Sequence, residues 1–176
     1  GADVICEKPL VLNPWNVDAL IELEEEYENK VHTVLQLRHH EAILELKDKI
    51  ENGPADKVYD IDLTYITSRG NWYYTSWKGN EEKSGGIASN IGVHFFDMLQ
   101  WIFGPMQSST VALKTKDTNS GTLRFKQAKV NWYLSINAEN LPQKAKDQDL
   151  PTFRTLSIEG EDIEFSKGFT DLHTIS

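Results

Sequence analysis

The sequence predicts an α+β protein: the end of a parallel α/β unit, followed by a mostly antiparallel open β-sheet covered by helices on one face. Three observations predict it. Strand-like and helix-like stretches alternate up to Gly53-Pro54, as they do in parallel α/β folds. Beyond that point the apolar period changes to two, in Tyr59, Ile61, Leu63 and Tyr65 and again in Val130, Trp132, Leu134 and Ile136. Between these two strands, residues 88–103 form one long, strongly apolar helical stretch closed by Gly104-Pro105.

Taken in order, Val4-Ile5-Cys6 is an apolar strand ended by Pro9. Asn13-Pro14 reads as a cap with proline in the first turn of a helix, and Val17, Leu20, Ile21 and Tyr27 recur at helical spacing to about residue 29. Val31 to Leu37 alternates as a second strand leading into Arg38-His39-His40. A helix from Glu41 carries Ile43, Leu46 and Ile50 on one side. Shorter strands are expected near 108–115, 121–127, 154–159 and 161–165, the last two joined by a tight turn at Glu159-Gly160. Residues 68–83 read as an aromatic loop, and Lys144 to Asp149 as a polar one. A domain division follows, with 1–36 ending a first unit and 37–176 forming a second.

Composition narrows the function. The chain has 176 residues, 18 basic against 27 acidic, and a formal net charge of −9. A duplex binder needs a basic face to displace phosphate counterions, so nucleic acid is excluded as an expected partner. No stretch approaches the apolar length that a bilayer crossing needs, and no membrane partner is expected. A single cysteine, Cys6, suits a reducing cytoplasm.

The chemistry concentrates in two places. On the 88–103 helix, Asn90, His94, Asp97 and Trp101 fall in one narrow stripe, opposite Ile91, Phe95, Met98, Leu99 and Ile102. A helix this apolar is buried nearly all round, so its polar stripe faces either a cleft or a satisfied internal network, such as His94 bonded to Asp97 or Asn90. The second place is Lys8, in Glu7-Lys8-Pro9 at the C-terminal end of an apolar strand, where ligands of open α/β sheets bind. A desolvated lysine there can orient or deprotonate a hydroxyl, although a surface turn lysine has the same local sequence.

These residues resemble the glucose-fructose oxidoreductase, inositol dehydrogenase and rhizopine catabolism family of NAD(P)-dependent oxidoreductases. Cys6-Glu7-Lys8-Pro9-Leu10 is similar to the family's Glu-Lys-Pro motif at the end of its Rossmann-type dinucleotide domain. Gly85-Gly86, then Asn90-Ile91-Gly92-Val93-His94 to Asp97, is similar to its Gly-x-His-x-x-Asp helix. Within the family the chain is most similar to dehydrogenases that oxidise the C3 hydroxyl of UDP-N-acetylglucosaminuronic acid in lipopolysaccharide O-antigen synthesis. That likeness rests on Ser68-Arg69-Gly70-Asn71-Trp72, Ser76-Trp77-Lys78-Gly79 and the ending Phe169-Thr170-Asp171-Leu172-His173.

The resemblance implies roles. Lys8 touches the reacting hydroxyl and, with Glu7 and Pro9, the NAD cofactor; His94 is the acid/base; Asn90 orients the substrate and Asp97 supports the site. Arg69 and Lys78 are the physical candidates for the substrate's uronate or diphosphate, since an acidic protein needs local cations to hold a polyanion. Arg38 is a further candidate, with a salt bridge as its alternative role. The resemblance also implies a homo-oligomer, a tetramer joined through the open sheet. Two departures stand out. No Gly-x-Gly-x-x-Gly turn is present, so the chain is expected to be a piece lacking most of the cofactor site and inactive alone. Asn90 stands where many members carry Asp, and an amide cannot act as a carboxylate base.

Two rival chemistries are weaker. Adjacent His39 and His40 on a strand would point to opposite faces, so no metal site is expected. Cys6, read as a buried strand thiol, would be inert. The remaining alternative is a non-catalytic open-sheet domain used for assembly or binding, with Tyr65 and Tyr133 on its exposed face.

Overall fold

The computed structural model describes residues 1–163 and Phe165. The first unit is small: strand β1 (Val4–Cys6), helix α1 (Pro14–Tyr27) and strand β2 (Val31–Thr33), with β1 and β2 pairing in parallel. Pro14 opens α1, and Glu28 closes it in the left-handed region. No residue of α1 is buried, and Trp15 stands 70% exposed. Cys6 is half-buried rather than fully enclosed, because Val4 and Ile5 beside it are open to solvent.

The second strand is shorter than its alternation predicts. After Thr33 the chain turns into a 3-10 helix over Gln36–His39, driving Leu37 into the core, where it is 4% exposed. His39 and His40 therefore lie at a helical turn and not along a strand. His40 is buried and meets the ring of Phe165 edge-on. Helix α2 (Glu41–Glu51) follows and buries Ile43, Leu46 and Ile50, the three residues its periodicity singles out.

The main sheet has six strands: β3 (Tyr59–Thr67), β4 (Ser108–Lys114), β5 (Thr118–Arg124), β6 (Ala128–Ser135), β7 (Thr152–Ile158) and β8 (Glu161–Ile163), in the order β4-β5-β6-β3-β7-β8. Every pairing is antiparallel except β3 with β6, which is parallel because helical connections return the chain to the same edge. β5 begins three residues before the predicted 121, and the last predicted strand ends at Ile163 among the described residues. Glu159 and Gly160 form the β7–β8 turn, both with positive φ.

One face of the sheet is covered by α2 and by α5 (Val93–Phe103). Ile61, Leu63, Val130, Leu134 and Leu156 meet Phe95, Met98, Leu99 and Ile102 there, all at 5% exposure or less. Each such side chain contributes about 1.5–3 kcal/mol by leaving water, which fixes α5 firmly on the sheet. Tyr65 also lies on this covered face, its ring 5.1 Å from that of Phe95, and so does not belong to the open face. The open face carries polar cross-strand pairs, with Asn131 donating to Asp62 at 2.9 Å and Thr110 bonded to Thr122 at 2.7 Å. Its far end is capped, because Lys144–Asp149 is not a simple loop: helix α6 (Gln143–Asp147) buries Ala145 against Ile66, with Tyr133 and Phe153 alongside. Among the described residues no helix is long and apolar enough to cross a membrane.

Candidate active site

The helix that bears the polar stripe starts irregularly. Residues Ala88–Gly92 form a π turn, and regular α geometry begins only at Val93. Gly92 explains how this turn fits, because a Cβ there would stand 2.7 Å from the Phe96 ring and 2.9 Å from Leu134. Gly85, at φ +71 and closely backed by Ser89, turns the chain into the same segment. The widened turn offsets Asn90 from the straight stripe that 100° spacing predicts. Asn90 is 6% exposed.

Lys8 reaches this turn from β1, across 82 residues of sequence. Its ammonium donates to the backbone carbonyl of Asn90 and not to the side-chain amide. The Lys8–Pro9 peptide is cis. Burial lowers the pKa of Lys8, the charges of Lys78 and Arg69 lower it further, and Glu7 opposes them. Lys8 thereby gives up its proton more readily than an ordinary lysine does.

A cleft of about 400 Å³ brings Lys8, Asn90 and His94 together with Arg69, Lys78 and Arg154. Five sequence-predicted residues thus share one concavity. Arg69 and Lys78 come from the segment read as an aromatic loop, which folds as helix α3 (Asn71–Thr75), a 3-10 turn at Trp77–Gly79 and helix α4 (Glu81–Ser84). Tyr73 is buried beneath it, and the Arg69 guanidinium lies 6.0 Å from the rings of both Trp72 and Tyr73. The buried Arg69 Nε has no hydrogen-bond partner among the described residues.

Arg38 does not join them. Its Nε donates to Asp97 at 2.8 Å and its terminal nitrogen donates to the other carboxylate oxygen, a two-pronged ion pair that ties the 3-10 turn to α5. Of the two roles the sequence allows Arg38, the geometry matches the salt bridge: the guanidinium is paired with Asp97, one turn beyond His94, and does not line the cleft. Arg154 is the residue the sequence reading missed. It sits opposite Tyr65 in the β3–β7 register, with its guanidinium 4.9 Å from the Tyr65 ring and 5.6 Å from the Phe165 ring. The only signal for it was that pairing, which no single-strand pattern supplies.

A strand-end lysine and a helix histidine thus line one cation-rich cleft on an open-sheet domain, the place where ligands of such folds bind. Residues 47–171 match the oxidoreductase family, C-terminal alpha/beta domain, and the chain belongs to that family. The chain is similar to the WlbA (WbpB) dehydrogenase of Thermus thermophilus, solved with NAD and alpha-ketoglutarate. They share 45% identity with a TM-score of 0.93, over 98% of this chain and 55% of that one. The same dehydrogenase in complex with NAD and UDP-GlcNAcA gives 44% and 0.92. Among curated relatives, the putative oxidoreductase YteT of Bacillus subtilis is 30% identical over 59% of this chain and 25% of its own length. The myo-inositol 2-dehydrogenase of Thermotoga maritima is 34% identical over 57% of this chain and 29% of its own. The chain thus spans little more than half the length of the solved relatives and less than a third of the curated ones. The predicted ending Phe169 to His173 lies outside the described residues.

Proposed function

We propose that this chain forms the substrate half of an NAD-dependent sugar-nucleotide dehydrogenase that oxidises the C3 hydroxyl of UDP-N-acetylglucosaminuronic acid. The observation that carries the reading is the single cleft in which Lys8, Asn90 and His94 face Arg69 and Lys78. Three groups suited to alcohol oxidation share it with cations suited to a polyanion. The reading also draws on the 44% identity to a dehydrogenase solved with NAD and UDP-GlcNAcA.

The residues present fit a nicotinamide cofactor at its reacting end only. Glu7, Lys8 and Pro9 follow the C-terminal end of β1, and Lys8 lines the cleft, whereas no glycine-rich phosphate turn occurs in this sequence. When bound, NAD supplies the acceptor for the hydride leaving the sugar C3. This chain's own work is with the proton. His94 accepts the hydroxyl proton as the C3–H bond breaks, and Lys8 holds the same oxygen while anchored to the Asn90 carbonyl. Asn90 fixes the ring through its amide, which can donate and accept but not ionise. The division of the chain at 36/37, activity only together with a complete dinucleotide domain, assembly through the open sheet face, a cytoplasmic location and a role in O-antigen synthesis belong to the same proposal.

The test is turnover of UDP-N-acetylglucosaminuronic acid with NAD by the full-length protein. NADH formation with this substrate, and much less with UDP-N-acetylglucosamine lacking the carboxylate, supports the reading. Equal rates with a simple polyol would overturn it.

A further inference from the structure

The π turn at the head of α5 is an uncommon way to begin a helix, and widened turns of this kind recur at functional sites. What keeps it from relaxing lies partly within the helix and partly outside it. From within, Gly92 leaves free the space that Phe96 and Leu134 border. From outside, the first unit reaches the same segment twice. Leu12 Cδ2 lies 3.4 Å from where a Cβ would stand on Gly85, at the entry to the turn, and the Lys8 ammonium donates to the Asn90 carbonyl inside it.

Backbone bonding explains why an outside donor matters there. In a regular α-helix the Asn90 carbonyl would accept from the N–H of His94, four residues on. A π turn moves such bonds to the fifth residue, and where the chain returns to α spacing at Val93 a carbonyl gives up its usual donor. An ammonium brought to a carbonyl of that turn supplies a charge-assisted bond in its place. An ammonium carries three donors, so the bond to Asn90 leaves two for a substrate oxygen.

The place of Asn90 depends on the turn. α5 itself is held by Phe95, Met98 and Leu99 in the core. Relaxing the turn to α spacing would therefore swing the residues before Val93 about the helix axis. Asn90 would leave its present place beside His94 in the cleft, and its carbonyl would move away from Lys8.

We infer that Lys8 is a positioning residue for this helix as well as a contact to the substrate: its bond to the Asn90 carbonyl holds the π turn, and through it the Asn90 side chain, in the geometry of the cleft. The inference rests on the dehydrogenase reading for its effect on turnover, and on the geometry alone for its effect on the turn. It makes the first unit, which carries Lys8, a determinant of how the substrate side of the cleft is arranged.

The turn and the turnover are read separately, in the full-length protein. Without substrate, amide hydrogen exchange in Lys8→Met should quicken about tenfold or more over residues 88–93, the loss expected for one charged hydrogen bond, while α2 keeps its wild-type protection. Lys8→Arg, which retains a donor, should restore much of that protection, and His94→Ala should leave it intact. With UDP-N-acetylglucosaminuronic acid and NAD, Asn90→Ala should lower kcat/KM about tenfold in the wild type and little further in Lys8→Met, because the two changes remove one arrangement. Unchanged exchange over 88–93 in Lys8→Met, a loss of protection spread equally over α2, or fully additive kinetic losses would overturn the positioning role and leave the dehydrogenase reading standing. The expected exchange pattern in a wild type that does not oxidise the UDP-sugar would support the positioning role and overturn that reading.

Discussion

The two walls of the cleft are built to different standards. The wall carrying Asn90 and His94 rests on α5, with Phe95, Met98 and Leu99 at 3% exposure or less beneath it. The wall carrying Arg69 and Lys78 is a run of helices five residues long or shorter, with Trp72 and Trp77 more than half exposed. Proton transfer needs a group fixed to a fraction of an ångström, whereas holding a phosphate or carboxylate tolerates a mobile ammonium. On the proposed reading, chemistry belongs to the cored wall and recognition to the open one. Substitutions on the two walls should separate in their kinetics.

The largest effect is expected on the cored wall. His94→Ala should lower kcat by about 10²-fold or more, with KM for the sugar nucleotide little changed, as read by steady-state NADH formation. Gly92→Ala comes next. The new Cβ would press on Phe96 and Leu134, and overpacking of this kind costs about 1–3 kcal/mol. Thermal unfolding should report that loss, and kcat should fall as the Asn90 carbonyl shifts away from Lys8.

A third outcome joins the walls through charge. Lys78 disfavours the protonated form of Lys8, so Lys78→Ala removes a repulsion and the Lys8 pKa should rise. In a pH–rate profile the limb assigned to Lys8 should move to higher pH, alongside about a tenfold rise in KM. An unmoved limb would place Lys78 too far away to be felt, and one that moves to lower pH would contradict the repulsion itself. The smallest effect is expected at Arg38→Met. This frees Asp97 from an ion pair whose arginine side is 40% exposed. The cost should be about 1 kcal/mol of stability, between the values for exposed and buried pairs, and KM should stay constant because Arg38 does not reach the cleft.

The same contrast explains what the sequence made legible. α2 and α5 announced themselves because their apolar residues have a core to enter, and Ile43, Leu46, Ile50 and Met98 enter it. The helix over Pro14–Tyr27 was equally legible as a helix, yet its apolar residues bury nothing among the described residues, since periodicity reports a face and not what covers it. Lys8, Asn90 and His94, which line one cleft, were legible as candidates because each is a polar group in an apolar setting. The π turn escaped detection, because a widened turn leaves no mark in a 3.6-residue pattern. Within that turn it is the Asn90 carbonyl that accepts from Lys8. Arg154 escaped because its place depends on the pairing of β7 with β3, a long-range contact. For Arg38 two roles stayed open, and the structure shows the salt bridge to Asp97, because a guanidinium near an unseen carboxylate looks the same in sequence as one near a substrate.

The most direct test of the division between the walls is a paired measurement of kcat and KM for His94→Gln and Lys78→Ala in the full-length protein, with UDP-N-acetylglucosaminuronic acid and NAD. The account predicts that His94→Gln loses kcat at nearly constant KM, and that Lys78→Ala loses KM at nearly constant kcat. The reverse pattern, or equal losses in both constants for both variants, would contradict it.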